Sequence, residues 1–465
     1  MKNNNQLFNK SLKKLQINNL ENSKSNKLSQ PAPRDIEKKS KHEIPKKDLE
    51  LNLILNLFKE KKYTQTIEEL NIFLKSYPND LNAKNILALS YKNIGNLNNA
   101  IKLFKSLIIE FPKQGFLYAN LANLLYNQGK VMLAIEEFKR CIKIDPSVTA
   151  AYTGLSNCYN ELGQTENAIL ILEKVLITEP KHDAANYNLG NTYRNQGRYK
   201  NAIPHYVNTD IRLSKSHLLE CYYLTGDKIK FLETLENLEE KNILNPLAAS
   251  LSSHSSIIYS QKNYYSFCDK PFDYIFNKNL LESNSLESDF IDEVKSSLKG
   301  LNLDFKSQDL LEKGTQSSGN IFMNEDQTIQ KLKKIILNEI DSYKSSFQNS
   351  SDGYIKSWPE NFKLFGWVVN ISKGGSLKSH IHKEGWMSGS LYFEIPKKTL
   401  PNEGNIAFSL TGARYPTNGI EFEERVVETL KGEIVLFPSS VFHRTIPFSS
   451  NEERMTIAFD IMPTQ

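Results

Sequence analysis

A length of 465 residues exceeds what a single hydrophobic core organises, so two or three domains are expected. The net charge of +5 is small for this length and argues against a nucleic-acid-binding protein. Four widely spaced cysteines without a CxxC pair argue against a disulfide framework or a zinc knuckle, and they favour a cytoplasmic location. No apolar run reaches the ~18 residues of a membrane span, so no membrane partner is expected.

Residues 1–48 form the first predicted segment, a disordered basic arm. The segment is rich in Lys, Asn and Ser and is interrupted by Pro31, Pro33 and Pro45. So little apolar surface cannot offset the conformational entropy that ordering would cost. The N-terminus is basic but lacks the apolar region of a secretory signal. A solvated tail is therefore expected.

Residues 49–247 carry an internal repeat of 34 residues. The recurring residues are Gly95, Gly129, Gly163 and Gly197; Ala100, Ala134, Ala168 and Ala202; and Pro78, Pro112, Pro146 and Pro180. Glycine permits positive φ where the first helix of a repeat ends, alanine permits close packing of the second helix, and proline stops that helix. This pattern resembles the tetratricopeptide repeat (TPR), which implies an α-solenoid that recruits a protein or peptide in its concave groove.

The ends of this array depart from the repeat pattern. Lys61 and Thr66 occupy the glycine and alanine positions of the first repeat. Pro204 enters a helix early, before a looser helical pair with Gly226 at its turn. Atypical terminal repeats are common because they cap a solenoid. Within the array, asparagines such as Asn120, Asn157 and Asn188 are candidates for holding a peptide backbone, although a solvated role fits them equally well.

The remaining chain is predicted to form a connector at 248–295 and a second domain at 296–465, with its core at 362–463. Helical spacing of apolar residues predicts a helix over 326–347, after which the period changes to two. The candidate strands are 363–371, 377–383, 387–395, 405–410, 420–428, 432–437, 440–446 and 453–461. So many short strands with turn residues between them predict a sandwich or jelly roll, and thus an α + β multidomain protein overall.

Three histidines of the predicted β domain are candidate metal ligands. His380 and His382 lie two residues apart on a predicted strand, so their side chains share a face. His443 lies on a late strand, and a double-stranded β-helix brings early and late strands together at its open mouth. Two ligands on one face and a distant histidine are typical of non-haem Fe(II) oxygenases.

Arg454 and Thr456 are the candidate residues for a cosubstrate, because they share one face of the last predicted strand. An unpaired arginine is costly to bury, and its planar fork suits a carboxylate, to which Thr456 adds a hydroxyl. A dicarboxylic cosubstrate held between Arg454 and a metal would satisfy this arrangement.

Three segments, HIHKEGWMSGSLYFEIP, GEIVLFPSSVFHRTIPF and ERMTIAFDIMP, resemble the 2-oxoglutarate/Fe(II) oxygenases that are found fused behind TPR repeats. The resemblance is close over 362–463 and weaker over 296–350. It implies a double-stranded β-helix that uses O₂ to hydroxylate a C–H bond and releases succinate and CO₂. It further implies that His380 and His443 bind Fe(II) and that Arg454 holds the C5 carboxylate of 2-oxoglutarate, with ascorbate as a candidate auxiliary reductant.

The third metal ligand is open to three interpretations, because His382 stands where the wider superfamily has a carboxylate. His382 serves as a third nitrogen ligand, which is the interpretation we favour. Alternatively, water occupies the position and His382 lies behind it. In the third interpretation His382 and Glu384 form an HxE pair and His380 lies outside the ligand set.

Four further residues are candidates for the pocket: Asn370, Trp386, Ser388 and Tyr392. Aromatic residues in such strands more often pack in the core, and Ser388 precedes a glycine that favours close strand packing. Two other functions compete with the oxygenase. One is a non-catalytic TPR scaffold with a degenerate oxygenase fold, and the other is a cupin-type metal enzyme that does not use 2-oxoglutarate. The sequence indicates no particular substrate.

Overall fold

The structure, a computed structural model, describes residues 46–464 except for Arg212, Asn302 and Ala413. The predicted disordered arm therefore lies outside the described residues, apart from its last three, which begin the first helix. The chain divides into two compact units, Met1–Ile211 and Arg212–Gln465.

The described part of the first unit is entirely helical. Its helices are α1 (Lys46–Lys59), α2 (Tyr63–Ser76), α3 (Leu81–Asn93), α4 (Leu97–Glu110), α5 (Gly115–Asn127), α6 (Val131–Ile144), α7 (Thr149–Glu161), α8 (Thr165–Thr178), α9 (Asp183–Asn195) and α10 (Tyr199–Val207). Each helix packs against the next one along the chain. This succession of short helices is the predicted α-solenoid.

The residues of the 34-residue repeat have the roles that the sequence predicted. The four repeating glycines follow α3, α5, α7 and α9 and have φ between 70° and 84°. The four repeating alanines are fully buried on the second helices of their repeats. In the first repeat Lys61 takes the glycine position and adopts φ 63°, which a residue with a side chain rarely does. Pro204 lies inside α10, a helix of nine residues where α8 has 14.

The second unit begins earlier than the sequence predicted. Its helices are α11 (Ser214–Leu224), α12 (Lys228–Glu240), α13 (Pro246–Ile258), α14 (Ser288–Gly300), α15 (Gln327–Ser346) and α16 (Gly353–Lys356), with 3₁₀ turns at Pro271–Tyr274 and Ile321–Met323. The boundary lies after Ile211 rather than near 247. Helices α11 and α13 bond loops of the β region through Glu220–Lys383 and His254–Thr411, and β1 of the predicted connector pairs with β8. Helix α15 matches the helix predicted over 326–347.

Two antiparallel sheets make up the rest of the second unit. Its strands are β1 (Phe276–Asn279), β2 (Phe305–Lys306), β3 (Leu311–Ser317), β4 (Phe362–Leu377), β5 (Met387–Glu394), β6 (Ile406–Ser409), β7 (Glu424–Val427), β8 (Glu433–Pro438), β9 (Phe442–Thr445) and β10 (Arg454–Pro463). One sheet has the order β1-β8-β5-β10-β4-β3-β2 and the other has the order β7-β6-β9. This confirms the predicted α + β class with a C-terminal jelly roll. Strand β1 comes from the predicted connector and pairs with β8.

The strand predicted over 377–383 is absent, and this correction bears on the site. Strand β4 continues to Leu377, and the chain then leaves the sheet. The backbone N–H groups of Lys378, His380 and His382 donate to carbonyls of three different segments, so no continuous ladder forms. His380 keeps only an isolated antiparallel bridge to His443.

The two sheets enclose an apolar core. Its buried members are Ile275, Tyr392, Ile406, Phe408, Val427, Val435, Phe437 and Val441. Gly389 lies on β5 of the larger sheet, where an added Cβ atom would come within 2.4 Å of the Phe459 ring. Across the part of the chain that the structure describes, no helix is long and apolar enough to cross a membrane.

Candidate functional site

Three histidine side chains meet between the two sheets. His380 and His382 come from the loop after β4, and His443 comes from β9. One nitrogen of each ring lies within 4.8 Å of the corresponding nitrogens of the other two. The backbones of His380 and His443 exchange two N–H···O bonds of 3.1 and 3.0 Å, which hold these two residues next to each other. The histidines that the sequence singled out therefore form one cluster.

The Nδ1 atom of each of the three rings lies within hydrogen-bond distance of an oxygen acceptor. His380 Nδ1 lies 2.8 Å from the Lys378 carbonyl, and His443 Nδ1 lies 3.2 Å from the Val441 carbonyl. A carbonyl only accepts, so both Nδ1 atoms carry the proton and both Nε2 atoms carry a lone pair. The Nε2 atoms of His380 and His382 are 3.1 Å apart. Two lone pairs at this distance repel each other unless a cation lies against both.

His382 is held by a carboxylate that the sequence reasoning did not assign. Asp460 Oδ1 accepts a bond from His382 Nδ1 at 2.6 Å and another from the Ser388 hydroxyl at 2.7 Å. Ser388 also bonds Ser439 at 2.7 Å, and all of these groups are largely buried. Such a carboxylate behind a metal-binding histidine fixes the ring and its tautomer. Asp460 lies six residues after Arg454 on the same strand, so alternation puts both side chains on one face. This shared face was the sequence signal that could have identified Asp460.

Burial keeps two of the clustered histidines, His380 and His443, uncharged. It lowers the pKa of His380 to about 4, and the neighbouring His382 lowers it further. Burial likewise holds the pKa of His443 well below its usual value, with the other two histidines adding to the effect. A metal binds neutral imidazole, so these rings need lose no proton at neutral pH.

Arg454 is buried with only 3% of its surface exposed. Its Nη1 donates to Thr456 Oγ1 at 2.9 Å and its Nε donates to the Gly404 carbonyl at 3.1 Å. The guanidinium carbon lies 4.8 Å from the centre of the Tyr392 ring. Burial lowers the pKa of Arg454. Among the described residues no carboxylate pairs with it, so this buried charge has unused donors.

A single cavity of about 220 Å³ joins the histidine cluster to Arg454. The polar part of its wall includes His380, His382, His443, Arg454, Thr456, Tyr392 and Asp460. Its apolar wall includes Trp367, Val369, Leu377, Ile406 and Phe437. The arrangement combines nitrogen ligands for a metal with a cationic anchor for an acid, inside a mostly apolar enclosure.

Other predicted residues lie elsewhere. Glu384 is exposed in a turn and does not join the histidine cluster among the described residues, so the HxE interpretation has no geometric support. Asn370 is not in the cavity wall, because its strand presents Trp367 and Val369 there. Trp386 is in the core, where its indole N–H donates to the Tyr354 carbonyl at 2.9 Å. Ser388 acts behind the wall and Tyr392 is part of it.

The asparagines of the first unit form pairs between repeats. Asn120 bonds Asn85 and Asn188 bonds Asn157, each at 3.2 Å. A second cavity of about 270 Å³ lies in this unit, lined by Tyr126, Asn157, Asn160, Glu161, Asn188, Asn191 and Asn195. Asn157 and Asn188 therefore line this cavity and bond each other, whereas Asn85 and Asn120 form a pair outside its wall.

Family models match both parts of the chain. Residues 366–460 match the family described as "Putative 2OG-Fe(II) oxygenase". Residues 86–113 and 117–148 match families described as "Tetratricopeptide repeat". Residues 161–240 match "Anaphase-promoting complex, cyclosome, subunit 3". No curated protein matches the chain significantly.

Solved structures resemble part of the chain at low identity. PilW, described as a widely conserved type IV pilus biogenesis factor, is 16% identical, and the match covers 45% of this chain and 99% of PilW with a TM-score of 0.40. A tetratricopeptide repeat protein from Parabacteroides merdae is 14% identical over 54% of this chain and 97% of its own, with a TM-score of 0.38. The pilF protein of Pseudomonas aeruginosa is 14% identical over 42% and 90%, with a TM-score of 0.37.

The family models and the fold agree on both parts of the chain. The helices of the first unit carry the 34-residue pattern, and the two sheets contain the matched residues 366–460. The chain is thus a tetratricopeptide-repeat protein fused to a domain that matches this 2OG-Fe(II) oxygenase family.

Proposed function

We propose that the protein is a 2-oxoglutarate- and Fe(II)-dependent dioxygenase that hydroxylates a C–H bond, with a TPR array that recruits a protein or peptide substrate. One observation carries the proposal. A single cavity holds three histidine nitrogens free to bind a metal and a buried arginine whose charge no carboxylate of the described residues neutralises. The family match to residues 366–460 supports the same chemistry.

The donor set fits Fe(II). Imidazole nitrogen is a good ligand for this metal, and three protein ligands leave positions open for a chelating cosubstrate and for O₂. In this proposal His380, His382 and His443 hold the metal through Nε2, which is the first of the three interpretations of the third ligand. When bound, Fe(II) supplies the activation of O₂ that is coupled to decarboxylation of 2-oxoglutarate.

The remaining residues bind and orient. Arg454 and Thr456 hold the far carboxylate of 2-oxoglutarate, so that its 2-oxo acid end is directed at the histidines. Asp460 keeps the Nδ1 proton on His382 and fixes that ring. The apolar wall around Trp367 and Leu377 keeps water from the cavity, which strengthens the ion pair at Arg454.

Recruitment by the repeats rests on the asparagine-lined cavity of the first unit. Side-chain amides offer both donors and acceptors, which is what the backbone of an extended peptide requires. The amides already bond each other, as Asn188 does with Asn157, so a peptide would replace these bonds with its own.

Succinate formation tests the proposed reaction. The purified full-length protein is incubated with Fe(II), 2-oxoglutarate, O₂ and ascorbate, and succinate is measured. We expect turnover by the wild type even without substrate, and its loss in His443→Ala and Arg454→Ala. Arg425→Gln is the matched control, because Arg425 lies on β7 and is not in the cavity wall.

The competing functions give other outcomes. Metal binding that 2-oxoglutarate does not affect would favour a cupin-type metal enzyme. A wild type that neither takes up metal nor forms succinate would overturn the proposal. The protein would then be a TPR scaffold with a non-catalytic β domain.

A further inference from the structure

The helices α11 and α13 belong to the second unit. Helix α11 contacts the segment that carries His380 and His382, and α13 contacts the loop between β6 and β7, which lies against the ligand segments. Tyr223 of α11 and His254 of α13 bond each other at 2.6 Å, so the two helices are tied together. His254 is fully buried. We refer to these two helices as the α11/α13 pair.

The first contact is an ion pair next to His382. Lys383 Nζ lies 2.8 Å from Glu220 Oε1 on α11. The Glu220 side chain is 7% exposed and that of Lys383 is 34% exposed. Because Lys383 directly follows His382 in a turn, this bond ties the His382 backbone to the helix.

The second contact reaches the neighbourhood of His380. His254 Nε2 lies 3.2 Å from the hydroxyl of Thr411, and its ring stacks on Phe422 at 4.7 Å. The carbonyl of Thr411 accepts a long bond of 3.5 Å from the hydroxyl of Ser379, which precedes His380. The loop between β6 and β7 thus connects α13 to the segment that carries His380.

The third contact reaches the neighbourhood of His443. The Tyr415 ring lies 5.0 Å from the His254 ring and 5.0 Å from the Phe442 ring, edge-on to both. Phe442 directly precedes His443. The loop is pressed closely on this ring, since a Cβ atom at Gly412 would come within 2.1 Å of Phe442.

We propose that the α11/α13 pair positions all three candidate ligands, with Glu220 and His254 as positioning residues. The inference rests on the proposed metal binding. Its physical basis is that residues 378–386 lack a continuous strand ladder, so the sheet alone does not fix His380 and His382. Metal ligands must be held within about half an ångström of the binding geometry, and contacts made by residues around the ligands supply that precision.

Cobalt binding to the full-length protein tests the inference without relying on turnover. Apoprotein is titrated with Co(II), and the d–d absorption gives both the affinity and the ligand geometry. We expect Glu220→Gln to weaken Co(II) affinity about tenfold and to alter the spectrum. Glu339→Gln is the matched control, because Glu339 and Lys278 form a 2.9 Å pair with side-chain exposures of 8% and 32%. That pair is not in the cavity wall, so Co(II) binding should stay unchanged while Tm falls comparably.

A double variant separates positioning from stability. Glu220→Gln with Lys383→Met removes both members of the ion pair, so Tm should recover in part because the Lys383 ammonium group, which Glu220→Gln deprives of this carboxylate, is also removed. Co(II) affinity should stay about tenfold weaker, because the attachment of the ligand segment is still missing. If Glu220→Gln alone fails to fold, the Co(II) affinity of the double variant still tests whether Glu220 positions the ligand segment.

Two results would overturn the inference while leaving the proposed function intact. One is a Glu220→Gln variant and a double variant that bind Co(II) with wild-type affinity and spectrum. The other is an equal loss of affinity in Glu339→Gln. Failure of the wild type itself to bind Co(II) would instead contradict the proposed function, and the inference with it.

Discussion

At the residue scale, the bond between His382 and Asp460 matters most for the candidate site. A three-histidine set brings no negative charge to a divalent metal, whereas a histidine–histidine–carboxylate set brings one. Here the carboxylate lies one hydrogen bond behind the ring, at 2.6 Å from Nδ1. In the proposed site this charge would still act on a metal bound at His382, through the imidazole.

Asp460→Asn should therefore weaken Co(II) or Fe(II) affinity by about 10- to 100-fold, because the amide lacks the charge that orients and polarises His382. Direct titration of the apoprotein measures the change. Asp341→Asn, an exposed aspartate on α15, is the control and should bind metal as the wild type does. Wild-type affinity in Asp460→Asn would show that His382 does not bind the metal.

Arg454→Met should separate cosubstrate binding from metal binding. Loss of a charge-assisted pair should raise the KM for 2-oxoglutarate by about 10- to 100-fold. Co(II) affinity should not change, because the contacts of Arg454 among the described residues are with Gly404, Thr456 and Tyr392 and not with the histidines. Removing a buried charge without an acidic partner should not lower the stability of the folded state. An unchanged KM for 2-oxoglutarate would mean that Arg454 does not bind the far carboxylate of 2-oxoglutarate.

At the element scale, regular periodicity explains what was predictable. The 34-residue period predicts the helical repeats because glycine, alanine and proline each meet a distinct local constraint. The β8 and β10 strands follow from their apolar runs. The prediction of a strand after Leu377 is wrong, because alternation of polar and apolar residues is also compatible with a loop that bonds several neighbouring segments. The roles of Asp460 and Glu220 could not be predicted from sequence patterns, because their partners His382 and Lys383 lie 78 and 163 residues away along the chain.

The glycine turns of the repeats give a stability prediction. Gly163 has φ 70° with nothing within 4 Å of an added Cβ, so Gly163→Ala meets only backbone strain. It should lower the free energy of unfolding by about 1 kcal/mol. Gly300→Ala is the control, because Gly300 also has open space but no positive φ, and it should be neutral or stabilising. Equal effects of the two changes in denaturant titrations would contradict this account.

Helix α13 gives a pH prediction through His254. Burial lowers the pKa of His254 to about 4 from an ordinary value of 6.5. The unfolded chain therefore takes up a proton near pH 6.5 while the folded protein does not. The stability that neutral His254 contributes is present above pH 6.5 and is lost, by ~3 kcal/mol, as the pH falls towards 4.

The measurement is the fall of Tm between pH 7 and pH 4.5 in the wild type and in His254→Gln. The wild type should lose more, because glutamine fills much of the space but takes up no proton. Equal falls in the two proteins would mean that His254 is already accessible to protons when the protein is folded.

At the scale of the whole molecule, the division after Ile211 changes how the fusion is understood. Helices α11 to α13 follow the repeats in sequence but belong to the unit that holds the candidate site. A boundary drawn near 247, as the sequence suggested, would separate Glu220 from Lys383. The unit that contains the domain matching the oxygenase family thus also includes helices that directly follow the repeats.

The central claim is that one cavity binds Fe(II) and 2-oxoglutarate together. Anaerobic addition of both to the full-length protein tests it most directly, since a 2-oxo acid chelated to Fe(II) produces a visible charge-transfer absorption. The account predicts this absorption in the wild type, its absence in His443→Ala, and a need for about 10- to 100-fold more 2-oxoglutarate in Arg454→Met. A wild type that takes up Fe(II) but develops no such absorption at any 2-oxoglutarate concentration would contradict it.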